Sequence, residues 1–397
     1  EKKLLERYPN YLNLIGDYCR RDPAKILRRR VDTFRLANSL RSKLLFITHS
    51  WGGGTEKHIR DLADILESTF DVMVLRPTSP EGPDGISIEW ARSGEEFTVY
   101  FSLPYNYKKL IDFLESLGVL RIHFHHIIGL NRQILQLPKD LNLSYDFTLH
   151  DYYPICPQYT LTFEDGRYCR EPDVEGCNAC LAKRPALWGL DILTWRALFS
   201  ELLIDADRVI VPSQDVLERM QKYIPDGHYV LLPHPESILA NSIAPGSLNG
   251  ELKILVLGRL TPAKGLHRLE DCAIDAQTRG LPLFFRVIGH ADREIRHEPE
   301  IPLSFSGPYE DAGLSVLIAR ERPDLIFFPA QWPETYSYTL SYALSTGLPI
   351  AAPRLGAFVE RLADYPHACL FDWDISVSEC NDLLVGFLKN SAARIVD

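Results

Sequence analysis

The sequence predicts an α/β chain built from two Rossmann-like domains, each a parallel sheet with crossover helices. Two observations carry this. Short apolar strand patterns alternate with amphipathic helical patterns in two successive runs, the pattern of parallel strands joined by helices. Between the runs lies ESILANSIAPGSLNGE (236–251), polar and punctuated by Gly, Pro and Ser as a linker would be. The expected division is therefore a helical extension over 1–40, an N-terminal domain over 41–235, and a C-terminal domain over 236–397.

In order, residues 1–40 contain KKLLERY and AKILRRRVDTFRLANSL, strongly charged and helical in pattern. They suit an amphipathic packing or linking helix, and the run Arg28–Arg30 also suits contact with an anionic membrane surface. KLLFITH then reads as a strand. TEKHIRDLADILE reads as a helix with Ile59, Leu62, Ile65 and Leu66 on one face. DVMVLRP is a strand, ISIEWAR and FTVYFSL a hairpin-like pair, YKKLIDFLESLG a helix, and VLRIHFHH and DFTLHD two further strands. An insertion with four cysteines over about 152–185 precedes a long helix near 187–203. The strand RVIVPS, the helix QDVLERMQKY and the strand YVLLPHP complete the run.

The second run places strands at KILVLGRL, LFFRVIGH, LSFSG, LIFFPA and PIAAP, with helices between them and a last helix near 376–390. Open parallel sheets take ligands beyond the carboxyl ends of their strands. The cleft between the two domains is thus the expected active site. The sequence carries no repeat of solenoid period.

The bulk numbers narrow the function. At 397 residues, with 46% apolar and 24% charged residues, the chain suits a soluble globular protein. A net charge of −10 argues against general nucleic-acid binding, which selects basic surfaces. No run of 18 apolar residues and no signal-peptide pattern occur. The chain opens on Glu1 rather than Met, which suits a segment of a longer polypeptide with further domains. Of eight cysteines, four are scattered and four are clustered, unlike a dense secreted disulfide scaffold. A cytoplasmic location, at the inner face of the membrane if the basic run acts there, fits these features.

The chemistry concentrates in GRLTPAKG (258–265) and PETYSYTLSYALSTGLPI (333–350). Arg259 and Lys264 offer fixed positive charge. A helix starting near Ser337 offers free backbone N–H groups and a positive dipole end. Together these suit a diphosphate, with Glu334 placed for sugar hydroxyls. Gly258 and Gly289 close two strands on the same side, and Ser337, Tyr338 and Thr339 supply amides and hydroxyls.

Earlier in the chain, HSWGGGTEKH (49–58) follows the first strand, where glycines allow close backbone approach to a ligand or simply form a flexible turn. HFHH (123–126) and HDYY (150–153) follow later strands. Histidine can transfer protons near neutral pH or serve as a hydrogen-bonded structural residue.

Cys156, Cys169, Cys177 and Cys180 read C-x12-C-x7-C-x2-C. Four thiolates suit one tetrahedral structural Zn2+ that staples an irregular loop. Two disulfides, unrelated buried thiols, or His150 as a substitute ligand are the alternatives.

These motifs, in this order and spacing over about 41–390, resemble the GT-B glycosyltransferases, in particular the retaining, nucleotide-sugar-dependent family-four group. The resemblance implies a GT-B architecture in which two Rossmann-like domains face a cleft. Arg259 and Lys264 match its diphosphate clamp, and Glu334 the first Glu of its E-x7-E motif. The second Glu position holds Tyr342, a departure that leaves ribose binding to a phenol or to another group.

Gly53, Gly54, Glu56 and His58 match the glycine loop that touches donor diphosphate or acceptor, with Glu56 and His58 also suited to packing the helix start. His150 and Asp151 resemble a cleft-facing His-Asp pair, and His126 lies on the same side. The resemblance implies a front-face route without a covalent nucleophile and without a catalytic metal. It also implies a GDP-, UDP- or dTDP-sugar donor and a glycan or lipid-linked glycan acceptor, as in bacterial surface polysaccharide (O-antigen or capsule) synthesis. A non-catalytic nucleotide- or glycan-binding module is the other class. A phosphorylase or epimerase of the same shape is a further one, for which no pyridoxal-phosphate lysine motif is seen.

Overall fold

The computed structural model describes residues 2–22, 24–79, 82–92, 94–236, 242–243, 250–294 and 301–395. The linker expected over 236–251 falls for the most part outside the described residues. The chain forms two compact units, Glu1–Asp146 and Phe147–Asp397.

The first unit opens with three helices, Lys2–Arg7, Tyr11–Arg21 and Lys25–Ala37. Five strands follow: β1 (Ser42–Ile47), β2 (Phe70–Ser79), β3 (Gly82–Trp90), β4 (Gly94–Ser102) and β5 (Val119–Phe124). Their order is β4-β3-β2-β1-β5. β1 pairs in parallel with β2 and β5, and β2, β3 and β4 form an antiparallel meander that contains the expected hairpin. Leu45, Phe46 and Ile47 of β1 are all fully buried, as befits a central parallel strand covered on both faces.

The helix Gly53–Leu66 packs Ile59 and Ala63 on Phe46, Val72 and Val74. Ile65, expected on that face, is 60% exposed. It stands about 120° around the helix from Ile59, outside the 59/62/66 stripe.

In the second unit, β6 (Tyr145–Thr148) lies on the unit boundary, followed by the parallel pair β7 (Arg208–Val211) and β8 (Tyr229–Leu231). The helix expected over 187–203 is broken. A 3-10 turn at Leu187–Gly189 ends before Asp191, whose carboxylate accepts the N–H groups of Leu193 and Thr194 and so starts the helix Ile192–Ile204 afresh.

A six-stranded sheet comprises β9 (Leu252–Leu257), β10 (Leu283–Ile288), β11 (Leu303–Phe305), β12 (Leu325–Phe327), β13 (Ile350–Pro353) and β14 (Ala368–Phe371). Its order is β11-β10-β9-β12-β13-β14, and every pairing is parallel. Ile254, Val256, Phe285 and Phe327 from the sheet meet Leu269 and Ala273 from the helix Leu266–Arg279, and Leu384 from the C-terminal helix Val377–Ile395, in one core.

The chain is thus mixed α/β with two parallel-sheet domains. In the six-stranded sheet the order reverses between β9 and β12. Such a switch point leaves a crevice beyond the carboxyl ends of those two strands. Among the described residues no helix is long and apolar enough to cross a membrane.

Candidate functional site

The two strands flanking the switch point deliver the charged motifs. β9 runs into Gly258 and Arg259, and β12 runs through Phe328 to Trp332 and Glu334. Gly258 and Gly289, at the ends of adjacent strands β9 and β10, approach each other closely. A Cβ built on Gly289 would stand 1.9 Å from the Gly258 carbonyl oxygen, and Gly289 has φ +146°. Neither clash nor strain is tolerable for a larger residue there. Beside Gly258, Thr339 and the Tyr309 hydroxyl lie within 3.4 and 3.9 Å of where a Cβ would stand. Burial pushes the Tyr309 phenol up to about 12, with Asp311 and the neighbouring Tyr342 adding to the shift. Tyr342 and Tyr309 therefore sit together on this side.

Glu334 is 7% exposed. One of its carboxylate oxygens accepts the Trp332 indole N–H at 2.9 Å and lies 4.0 Å from Lys264 Nζ. Its carbonyl accepts the Ala357 N–H at 2.7 Å. The acid is held from both its ends, and Lys264, about half exposed, is shared between it and open solvent. Arg259 is exposed, and its charge is felt at Tyr159. There burial raises the phenol, Asp151 adds, and Arg259 and Arg184 offset.

The helix Tyr338–Thr346 begins at Ser337, which adopts φ 68°, ψ 88°. A non-glycine residue in this region carries strain and needs support. Arg361 supplies it. Its guanidinium donates to the carbonyls of Tyr336 at 2.7 Å and Ser337 at 2.9 Å and to Ser341 Oγ at 2.6 Å. It also lies over the Tyr336 ring and 3.9 Å from the Glu236 carboxylate. Ser337 and Thr339 hydroxyls are 3.3 Å apart.

His150 meets this region through its backbone, whose carbonyl accepts the Thr335 hydroxyl at 2.7 Å. Its ring is 5.1 Å from that of His234. His234 in turn packs on Tyr336, is stacked with Tyr338, and accepts the Tyr336 hydroxyl at its carbonyl. The Asp151 carboxylate accepts the Tyr153 N–H at 2.9 Å, so it fixes its own turn.

Four residues of this arrangement went unnoticed in the sequence: His234, Arg361, Tyr309 and Trp332. His234 had a signal, a histidine between two prolines just after a strand. Trp332 heads the motif that continues through 333–350, and Arg361 and Tyr309 had no signal.

In the first unit, Gly53 and Gly54 form the first turn of the helix Gly53–Leu66, which begins two residues before the Thr55 start that the pattern suggested. Glu56 is engaged by Arg76 in a two-point pair of 2.6 and 3.2 Å, a packing role for the helix start. His58 is buried, and desolvation lowers its pKa to about 4, opposed in part by Asp61. Its ring lies 5.4 Å from His125, which stacks on His123 at 4.2 Å. The His126 ring is 4.9 Å from His49, and its Nδ1 accepts the Ile128 N–H.

The segment 152–173 is irregular, and Cys177 and Cys180 lie on the helix Val174–Lys183 that follows. All eight cysteines are unbridged thiols. Burial raises the Cys156 thiol to about 12, and Cys169, Cys177 and Cys180 each add to the shift. Among the described residues no three of the four sulfurs lie within 4.8 Å of one another, so the thiols are neighbours that a metal would have to draw together. Arg184 donates to Cys180 Sγ at 3.0 Å, and Arg196 lies 3.6 Å from Cys177 Sγ.

A polar cluster anchors the segment. The Glu171 carboxylate accepts from Tyr168, Arg219, Lys222 and Tyr223. Asp215 accepts from Arg219 and Tyr152. The Gly166 turn presses on the 258–265 loop: at φ +83°, a Cβ there would lie 2.4 Å from the Pro262 carbonyl carbon.

No protein-family model and no curated protein matches the chain. Among solved structures it is similar to the sucrose-phosphate synthase of Thermosynechococcus elongatus, with TM-score 0.59 and 15% identity over 89% of this chain and 91% of that one. It is similar to the lipopolysaccharide outer core galactosyltransferase WaaB at TM-score 0.57, with 13% identity over 88% and 91%. Anabaena HepE in complex with UDP-glucose aligns at TM-score 0.53, with 16% identity over 86% and 89%. The fold is that of the GT-B glycosyltransferases.

Proposed function

We propose that the chain is a retaining glycosyltransferase that moves a sugar from a nucleotide-sugar donor to a glycan acceptor. The observation that carries this reading is the grouping at the β9/β12 switch point. There Lys264 stands 4.0 Å from the buried Glu334, Arg259 follows β9, and a helix N-terminus opens beside Gly258. Cations and amides at this place suit a departing diphosphate, and a buried carboxylate suits sugar hydroxyls. The complex of HepE with UDP-glucose supports a donor of the same class.

In this reading the bond between the anomeric carbon and the diphosphate oxygen breaks, and Arg259, Lys264 and the Ser337–Thr339 start take up the charge. The acceptor hydroxyl attacks from the same face and gives its proton to the leaving phosphate. Glu334 orients the sugar, and Tyr342 takes the ribose side. The resemblance assigns the acceptor side to Gly53, Gly54, His58 and His126, together with His150 and Asp151.

The same reading gives Cys156, Cys169, Cys177 and Cys180 one structural zinc. Four thiolates and Zn2+ carry a net charge of −2, and the guanidiniums of Arg184 and Arg196 beside two of the sulfurs match it. A place in bacterial surface polysaccharide assembly, in the cytoplasm at the inner face of the membrane, completes the proposal.

The test is hydrolysis and transfer with a panel of UDP-, GDP- and dTDP-sugars, beside calorimetry with the matching nucleoside diphosphate. Arg259→Ala and Lys264→Ala should each weaken the diphosphate by about 1.5–3 kcal/mol. Glu334→Gln should lower turnover more than nucleotide affinity. Unchanged affinity in both cation variants would sink the donor assignment. Nucleotide binding without turnover on any donor would favour a binding module, to which the Tyr342 departure points. Elemental analysis should find about one zinc per chain, and four readily labelled thiols without metal would exclude it.

A further inference from the structure

The N-terminal helices present a surface that the glycosyl-transfer chemistry does not use. Residues 1–41 carry a net charge of +6, while the rest of the chain carries −16. The helix Lys25–Ala37 is two-sided. Leu36 is fully buried and Arg29 lies over the Tyr100 ring, so one face rests on the first unit. Leu27, Val31 and Phe34 follow at helical spacing on the opposite face, 63%, 58% and 68% exposed. Arg28, Arg30 and Arg35 flank that apolar stripe and are exposed.

The helix Tyr11–Arg21 has no buried residue. It shows Tyr11, Leu14, Ile15 and Tyr18 on one stripe, all exposed, with Arg20 and Arg21 in its last turn. A packing helix would hide such stripes. Instead the apolar side chains and the basic side chains face solvent together.

Where Lys25–Ala37 ends, a cavity of about 610 Å³ opens, lined by Arg35, Ser39, Arg41, Trp90 and Arg92. Arg35, Arg41 and Arg92 each keep one carboxylate partner, at 3.1 to 3.5 Å, in Asp32, Asp71 and Glu67. Three guanidiniums around one opening still favour a phosphate oxygen, and the buried Trp90 closes the cavity from below.

We propose that this face docks on a bilayer of anionic phospholipid. Leu27, Val31 and Phe34 enter the headgroup–acyl boundary, and the flanking arginines pair with lipid phosphates. One headgroup phosphate is received by Arg35, Arg41 and Arg92. A basic rim around an apolar stripe is the pattern of helices that lie in the interface plane. The charge contrast fixes the orientation, because the remaining −16 is repelled by the same surface. The proposal does not rest on glycosyl transfer and can fail or stand without it.

The experiment is co-sedimentation of the full chain with vesicles, read without donor or acceptor. Vesicles of phosphatidylcholine with about one quarter phosphatidylglycerol should bind the protein about tenfold more tightly than phosphatidylcholine alone, and roughly 0.5 M salt should weaken that binding strongly. Val31→Glu with Phe34→Glu should abolish sedimentation, and Arg41→Ala with Arg92→Ala should reduce the anionic preference several-fold. The Val31→Glu, Phe34→Glu variant should keep the wild-type melting temperature, because its altered side chains face solvent. Arg41 also pairs with the buried Asp71, so Arg35→Ala with Arg92→Ala, both exposed, should show the same loss of anionic preference at an unchanged melting temperature.

Equal binding to both vesicle types, or none to either, overturns the proposal. So does a wild-type dimer in light scattering that the Val31→Glu, Phe34→Glu variant converts to monomer, since the face would then belong to a second copy.

Discussion

Arg361 is the residue on which the candidate diphosphate site depends most indirectly, and its removal gives a sharp test. Ser337 sits in a left-handed conformation at the start of the helix Tyr338–Thr346. For a residue with a side chain this costs about 1–3 kcal/mol. The guanidinium holds the two carbonyls on either side of that strain, at 2.7 and 2.9 Å, and is itself only 16% exposed. Arg361→Met keeps the apolar stem but deletes three charge-assisted hydrogen bonds and the positive charge 3.9 Å from the Glu236 carboxylate.

The strain then lacks its support, and Ser337 relaxes in most molecules. Restoring the binding-competent start costs about 1.5 kcal/mol, which is roughly tenfold in Kd. The assay is calorimetry with whichever of UDP, GDP or dTDP the wild type binds most tightly. Arg361→Lys, which keeps charge but not the fork, should fall between. If Arg361→Met lowers the melting temperature yet binds the nucleotide as the wild type does, Arg361 braces the fold and not the site.

Two further outcomes follow from burial. Gly166→Ala adds a Cβ 2.4 Å from the Pro262 carbonyl carbon at φ +83°, and should cost about 1–3 kcal/mol and speed amide exchange in 160–172; unchanged exchange there would mean that the turn does not bear on the 258–265 loop. His58 protonates at 6.5 when unfolded but at about 4 in the folded chain, so between those values the unfolded state binds the extra proton. Its contribution is constant above pH 6.5 and is lost as pH falls toward 4, the loss already reaching about 2 kcal/mol at pH 5. Urea unfolding at pH 7 and pH 5 should show this loss, and His58→Asn should flatten it; equal slopes in both proteins would refute the assignment.

The sequence was most legible where one stretch of chain carries its own meaning. Most strands could be placed because each is a short apolar run beside a helical pattern, or, for β3 and β4, a hairpin; the four-residue β14 (Ala368–Phe371) was not among those expected. Gly258, Arg259 and Lys264 could be named because they follow one strand within seven residues. What stayed hidden was assembled by topology. Arg361 acts 24 residues away from Ser337, and nothing in FVERLADY marks it.

Glu56 resembled a ligand-loop residue, yet its carboxylate is taken by Arg76, 20 positions on, because β2 lies beside β1. Ile65 was placed on the wrong face because four apolar residues in a helix need not share one stripe. The break before Asp191 was readable in principle, since an Asp at a helix start is a cap signal, but the apolar run on both sides concealed it.

The cysteine-bearing segment shows why such a region survives without a core. A free loop of this length would lose too much entropy on ordering. Here ordering is bought by three restraints of different kinds. The Glu171–Arg219–Asp215 cluster ties it to the helix Gln214–Tyr223. Burial alone would raise the Glu171 pKa, but Tyr168, Arg219, Lys222 and Tyr223 hold it below the ordinary carboxylate value, so the cluster strengthens as Glu171 ionises and is lost as pH falls through that lowered value. The second restraint is the close approach of Gly166 to Pro262, reinforced where Arg170 pairs with Asp374 and lies over Trp373.

The third is the group of four thiols with Arg184 and Arg196 beside it. Among the described residues the second is the restraint that presses on the loop carrying Arg259 and Lys264. A metal at the thiols would therefore act on that loop through the rigidity of 156–180, and its removal should disturb nucleotide affinity less than it disturbs the order of the segment itself.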